Sequence, residues 1–185
     1  KAGKAKKQLQ EEGDLNNAGY SMSLIGSAYW QLGQYDAALA AHKESLLLRE
    51  KSGNLNGQAY SWSRLGDLFK QSGSKISSLQ AYKRAEDIYN KIQDSTGLAE
   101  VYALEGQVFL DDENYKNAAR LFEMANGISH KSTVEALFKL GVSWSSIDTV
   151  KAKKYLLDAR QKSREDGNTS YQFATVRTLA RMAYN

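Results

Sequence analysis

Few residues in this 185-residue chain have the chemistry to act on a substrate, and their spacing suits it poorly. There are two histidines, His42 and His130, and no cysteine. A thiolate nucleophile, a disulfide framework and a cysteine-based zinc site are thereby excluded. Neither histidine belongs to a His-Glu-x-x-His motif, which would put two imidazoles and a general base on one helix face. The densest acidic group, Asp111-Asp112-Glu113 followed by Asn114, lacks the alternation and central glycine of a calcium loop. It reads as a solvated turn that caps the next helix. No serine occupies a Gly-x-Ser-x-Gly elbow, and no glycine-rich phosphate loop occurs. Asn168-Thr169-Ser170 fits a glycosylation acceptor, which matters only in a secreted chain. The expectation is a protein that is not an enzyme and carries no metal and no cofactor.

Charge is distributed unevenly. Residues 1–150 hold 17 Lys+Arg against 18 Asp+Glu, whereas residues 151–185 hold 8 against 3, so the excess of positive charge sits at the C-terminal end. A basic group of this kind attracts acidic partners, or is simply a solvated helix face. Only Tyr155 interleaves with Lys151, Lys153, Lys154 and Arg160, which argues against nucleic acid as a partner. No run approaches 18 apolar residues, so no membrane span is expected.

The elements that hold these residues follow from an internal repeat. Displacing the sequence by 40 places Tyr20-Ser21-Met22-Ser23-Leu24-Ile25-Gly26 on Tyr60-Ser61-Trp62-Ser63-Arg64-Leu65-Gly66. A third copy follows at Val101-Tyr102-Ala103-Leu104-Glu105-Gly106, and a fourth, at shorter spacing, contains Leu137, Leu140, Gly141 and Trp144. Proline, the residue most damaging to a helix interior, is absent. Each unit reads as two helices. On the first, a large residue, a glycine and an aromatic share one face: Met22, Gly26, Tyr29; Trp62, Gly66, Phe69; Tyr102, Gly106, Phe109. Glycine costs helix stability, so its recurrence implies that the second helix crosses there. The second helix carries small, bulky, small: Ala38, His42, Ser45; Ser78, Tyr82, Ala85; Ala118, Phe122, Ala125; Ala152, Leu156, Ala159. In this register His42 is a packed core ring. Short turns join the helices, as in Gln31-Leu32-Gly33-Gln34-Tyr35, and Glu12-Gly13-Asp14-Leu15-Asn16 aligns with the turn at Ser52-Gly53-Asn54. His130 is expected near a turn at Asn126-Gly127-Ile128-Ser129.

The pattern resembles the tetratricopeptide repeat, carried by Ile25-Gly26, Tyr29, Leu32-Gly33, Tyr35 and Ala38 in the first unit. It departs from that family in having no proline and a period of 40 rather than about 34 residues. The longer form is similar to repeats of kinesin light chain, Pins/LGN-type adaptors and bacterial peptide-sensing regulators. The resemblance implies an all-α, right-handed superhelix, an α-solenoid of helix-turn-helix hairpins. Residues 1–185 are read as one solenoid, with repeats at 14–53, 54–93, 94–128 and 129–166. Residues 1–12 end a preceding repeat and 169–185 begin a following one, the mark of a fragment of a longer protein. Phe173, Val176, Leu179 and Met182 on that last helix form an apolar set whose cover is expected from missing chain or another copy.

What the family implies about function is a concave groove, lined by first helices, that binds a protein or peptide segment. Carried over by register, its contacts are Tyr20, Ser23, Ser27, Trp30 and Gln31; Tyr60, Ser63, Asp67, Lys70 and Gln71; Glu100, Ala103, Gln107, Leu110 and Asp111; and Glu135, Phe138, Val142 and Ser145. Tyr20, Trp30 and Tyr60 are the anchor types of interfaces, while Arg177 and Arg181 are expected to meet acidic ligand residues and Glu100 basic ones. Ser23, Ser27, Glu100 and Leu104 stand where a carboxylate clamp would need cationic and amide groups, which argues against that mode on this segment. Two alternatives to the interaction scaffold stay open. One is a peptide-sensing module controlling an attached output domain. The other is a self-assembling element, a homo-oligomer formed through the exposed C-terminal helix.

Overall fold

The computed structural model describes residues 2–129 and 133–184, with side chains described for 13–129 and 133–183, so His130 lies outside the described residues. Among the described residues the chain is helical throughout: α1 (Ala2–Gln31), α2 (Tyr35–Lys51), α3 (Leu55–Gln71), α4 (Lys75–Ile92), α5 (Ser95–Asp111), α6 (Tyr115–Ile128), α7 (Val134–Trp144), α8 (Thr149–Glu165) and α9 (Thr169–Tyr184). Successive helices pack as hairpins, the architecture of a helical-repeat solenoid. No described helix is long and apolar enough to cross a membrane.

The turns repeat as regularly as the helices. Left-handed backbone closes a helix at Gly33, Gly53 and Gly73, where φ is 72°, 71° and 78°. Glycine adopts this conformation without a Cβ clash. At the next two equivalent turns a side chain accepts the same geometry, Gln93 at φ 57° and Glu113 at φ 55°. The helices α3, α5 and α6 are each started by a side-chain cap that satisfies an orphan amide, whereas α2 and α4 have none. Asn54 accepts from the Gly57 amide at 2.9 Å, Asp94 from Gly97 at 3.0 Å, and Asn114 from Asn117 at 3.3 Å. The acidic run at Asp111 is thus the turn that leads into a capped α6. In the shortened fourth hairpin Asp148 accepts from the amides of Val150 and Lys151, both at 3.0 Å.

Two expected turns are absent. The helix does not break at Glu12–Asn16: α1 runs from Ala2 through Gly13 to Gln31. Asn126, Gly127 and Ile128 belong to α6, which ends at Ile128 with Ser129 as its C-cap. Glycine permits a left-handed stop without requiring one; in helical dihedrals it costs about 1 kcal/mol and keeps the backbone ladder intact.

The chain divides into two compact units, residues 1–97 and 98–185. Both are built on the same crossing. A Cβ placed on Gly26 would lie 2.7 Å from the His42 ring, on Gly66 2.4 Å from Tyr82, on Gly106 2.9 Å from Phe122, and on Gly141 2.6 Å from Leu156. The recurring glycines are therefore seats for the bulky residue of the second helix. In the first unit Ala38, Leu46, Leu65 and Leu68 form the apolar core, with Tyr29, Trp62 and Phe69 against it. In the second, Ala118, Phe122 and Leu140 are joined by Phe109, Trp144 and Tyr155.

Candidate functional site

In the first unit α1, α2 and α3 also meet through a polar seam. Small residues bring the backbones close enough for hydroxyls to reach across. Arg49 Nη1 donates to the Gly57 carbonyl at 2.8 Å and to Ser61 Oγ at 2.9 Å. Ser61 and Ser45 are 3.1 Å apart, Ser45 donates to the Gly19 carbonyl at 2.7 Å, and Ser23 Oγ is 2.8 Å from Ser45. Ser45 has a single proton, committed to Gly19, so it accepts from both Ser61 and Ser23. Arg49 is buried and held between Gly19 and Gly57, whose missing side chains make its room. Burial lowers its pKa, and a guanidinium stays protonated regardless.

Above this seam lies a cavity of about 320 Å³, lined by Ser27, Trp30 and Gln31 of α1, His42 of α2, and Arg64 and Asp67 of α3. Helical spacing puts Ser27, Trp30 and Gln31 on one face of α1, and Arg64 and Asp67 on one face of α3. Arg64 Nη1 lies 3.1 Å from Asp67 Oδ2, and the Tyr82 hydroxyl donates to Asp67 Oδ1 at 2.7 Å. Burial, then the Asp67 charge, pushes the Tyr82 phenol far up, which keeps it a neutral donor. The Arg64 guanidinium stacks 5.2 Å from the Tyr60 ring, a cation–π contact. His42 is 2% exposed, its Nδ1 is fully buried without a hydrogen bond, and its pKa is lowered to about 4 by burial, then by Arg64 and Arg49. The ring facing the cavity is consequently neutral imidazole at physiological pH.

Of the residues expected to line a groove, the structure brings together Ser27, Trp30, Gln31 and Asp67. Tyr20 is 58% exposed on α1 and Trp30 is half-buried, edge-on to Tyr35 at 5.5 Å. Tyr60 is half-buried beneath Arg49 and Arg64, and Lys70 is half-buried near the end of α3. Ser23 and Ser63 are not groove contacts. They are 3% and 2% exposed, Ser23 in the hydroxyl seam and Ser63 donating to the Ala59 carbonyl at 3.1 Å. Ser23 thereby meets α2, whereas Ser63 bonds back to its own helix. In the second unit Glu100 and Asp111 are exposed on α5, with Gln107 donating to Asp111 at 2.6 Å, and Arg177 and Arg181 are exposed on α9. Phe173 is 77% exposed, whereas Leu179 and Met182 join Val150 and Leu157 around a second cavity of about 650 Å³.

Sequence reasoning did not single out Arg64 or Arg49. A signal for Arg64 was present: it stands where the aligned copies have Leu24 and Leu104, and a charge at an otherwise apolar repeat position marks a local task.

Helical hairpins, repeated in register with glycine seats, define a helical-repeat fold. Residues 17–91 match the tetratricopeptide repeat family. Solved structures of similar fold include BtubC (BKLC) from P. vanneervenii, with a TM-score of 0.71 and 18% identity over 80% of this chain. The chain spans 63% of that protein's length. The nearly identical TPR-like repeats of a kinesin light chain candidate from Podosopora anserina align with a TM-score of 0.70 and 15% identity, covering 88% of this chain and 84% of that one. A point variant of those same repeats aligns equally well, with a TM-score of 0.71. No curated protein matches the sequence. Tetratricopeptide repeats are in general modules for binding other proteins.

Proposed function

We propose that the first unit binds a protein segment along the face shared by α1 and α3, with the exposed Tyr20 ring as an anchor and the cavity beside Trp30 receiving a side chain. The observation that carries this reading is the cavity itself. It joins Ser27, Trp30, Gln31 and Asp67 at about 320 Å³, near the lower end of the range of pockets that hold small ligands. An exposed tyrosine is a large, rigid contact that loses little entropy on binding, the type that anchors interfaces. The two walls carry both donors and acceptors, which orient a ligand rather than merely hold it.

The test is capture of binding proteins from a native extract, repeated with Tyr20→Ala and with Trp30→Ala. Both positions are at least partly exposed, so the fold should survive. Each variant should weaken retention of the captured protein by about tenfold or more, as loss of an interface anchor does. Undiminished capture by both variants would place the binding surface elsewhere.

A further inference from the structure

We propose that the cavity between α1, α2 and α3 selects an uncharged carboxamide side chain, that of Asn or Gln, from the bound segment. The inference rests on the groove reading above and names the chemistry that its cavity recognises.

Two full charges face the cavity, and they neutralise each other: Arg64 Nη1 lies 3.1 Å from Asp67 Oδ2. Asp67 is fixed from the other side by the Tyr82 hydroxyl at 2.7 Å, so the pair does not swing apart freely. His42 adds no charge. It lines the cavity, is almost wholly buried, and its Nδ1 has no hydrogen-bond partner. Ser27 and Gln31 add uncharged polar groups, and Trp30 supplies a flat apolar wall.

Each class of side chain meets this lining differently. A carboxylate approaching Arg64 also approaches Asp67, and an ammonium approaching Asp67 meets Arg64. A hydrocarbon group would strip water from the Asp67 carboxylate and return no hydrogen bond, which is costly for buried polar atoms. A carboxamide avoids all three penalties. Its oxygen accepts from a donor such as the guanidinium, and its NH₂ donates to the carboxylate or the imidazole. Its planar group lies against the indole.

The experiment uses randomised peptides displayed on phage, selected on the whole chain, on Asp67→Asn and on Arg64→Gln. Asp67→Asn keeps an acceptor for Tyr82 while removing the carboxylate beside Arg64; Arg64→Gln removes the guanidinium beside Asp67. The unaltered protein should enrich Asn or Gln at one position. That preference should move to Asp or Glu with Asp67→Asn and to Lys or Arg with Arg64→Gln, each by about tenfold or more. Enrichment of charged or aromatic residues at that position, unmoved by either variant, overturns the inference. If such peptides still lose binding with Tyr20→Ala, the groove reading stands without it. Peptides indifferent to Tyr20→Ala bind elsewhere, and both readings fall. A second measurement does not depend on peptides. Propionamide, propionate and propylammonium are titrated against the chain while the Trp30 indole N–H resonance is followed. Propionamide alone should shift it, and an equal shift by either ion overturns the assignment.

Discussion

The two units place different side chains over the same glycine seat. In residues 1–97 the seat holds His42 and Tyr82; in residues 98–185 it holds Phe122 and Leu156. The backbone crossing accepts either kind, because what it requires is bulk opposite a missing Cβ. The consequences differ. Phe122 and Leu156 complete an apolar layer and ask nothing further. Tyr82 must place its hydroxyl, and does so on Asp67; His42 must stay neutral, because charging it would bury a third cation beside Arg49 and Arg64. Polar rings in the seat thus carry polarity from the core to the cavity, while apolar rings close the core.

The largest expected effect tests the apolar side of this contrast. Leu156→Ala empties a seat that is 0% exposed and should cost about 4 kcal/mol, measured by denaturant unfolding. A loss below about 1 kcal/mol would show that the neighbours collapse into the space. The polar side is tested by Gly66→Leu, where even a Cβ would stand 2.4 Å from the immobile Tyr82 ring. It should destabilise by about 3 kcal/mol. The milder approach at Gly106, 2.9 Å, predicts a smaller loss for Gly106→Ala than for Gly66→Ala.

A pH titration sharpens the comparison. With its folded pKa lowered from 6.5 to about 4, His42 takes up a proton more readily in the unfolded chain. Stability rises with pH wherever the unfolded state binds more protons. The His42 contribution is therefore complete above about pH 6.5. It is lost as pH falls toward 4 and levels off below that, a change of about 3 kcal/mol. His42→Phe, which installs the second unit's solution, should flatten that part of the stability profile. Parallel profiles for the two proteins would refute the neutral-ring account. The smallest effect concerns the turns. Gln93 holds the left-handed backbone that glycine holds at 33, 53 and 73, so Gln93→Gly should raise stability by up to about 1 kcal/mol, read as a higher melting temperature. A lowered one would mean that the Gln93 side chain contributes more than its backbone strain costs.

The sequence by itself determined the helical hairpins and the glycine crossings, because each is a local matter of period, volume and turn chemistry. Spacing put Gly66 where the second helix crosses; the structure shows that the Tyr82 ring is what lies over it. Helix continuity at Gly13 was not legible, since glycine allows both outcomes and the chain beyond it decides. The site was legible only in outline. Register indicated the faces of Ser27, Trp30 and Asp67, but it also put Ser23 and Ser63 in the groove. A helix rotated slightly toward its neighbour buries such small residues, and repeat register does not encode that rotation. Only the tertiary structure placed His42 between a core and a cavity, set Arg64 against Asp67 at 3.1 Å, and drew Arg49 into a seam of serine hydroxyls. Those contacts gather residues from three helices, and their polarity depends on which side chains face one another after packing.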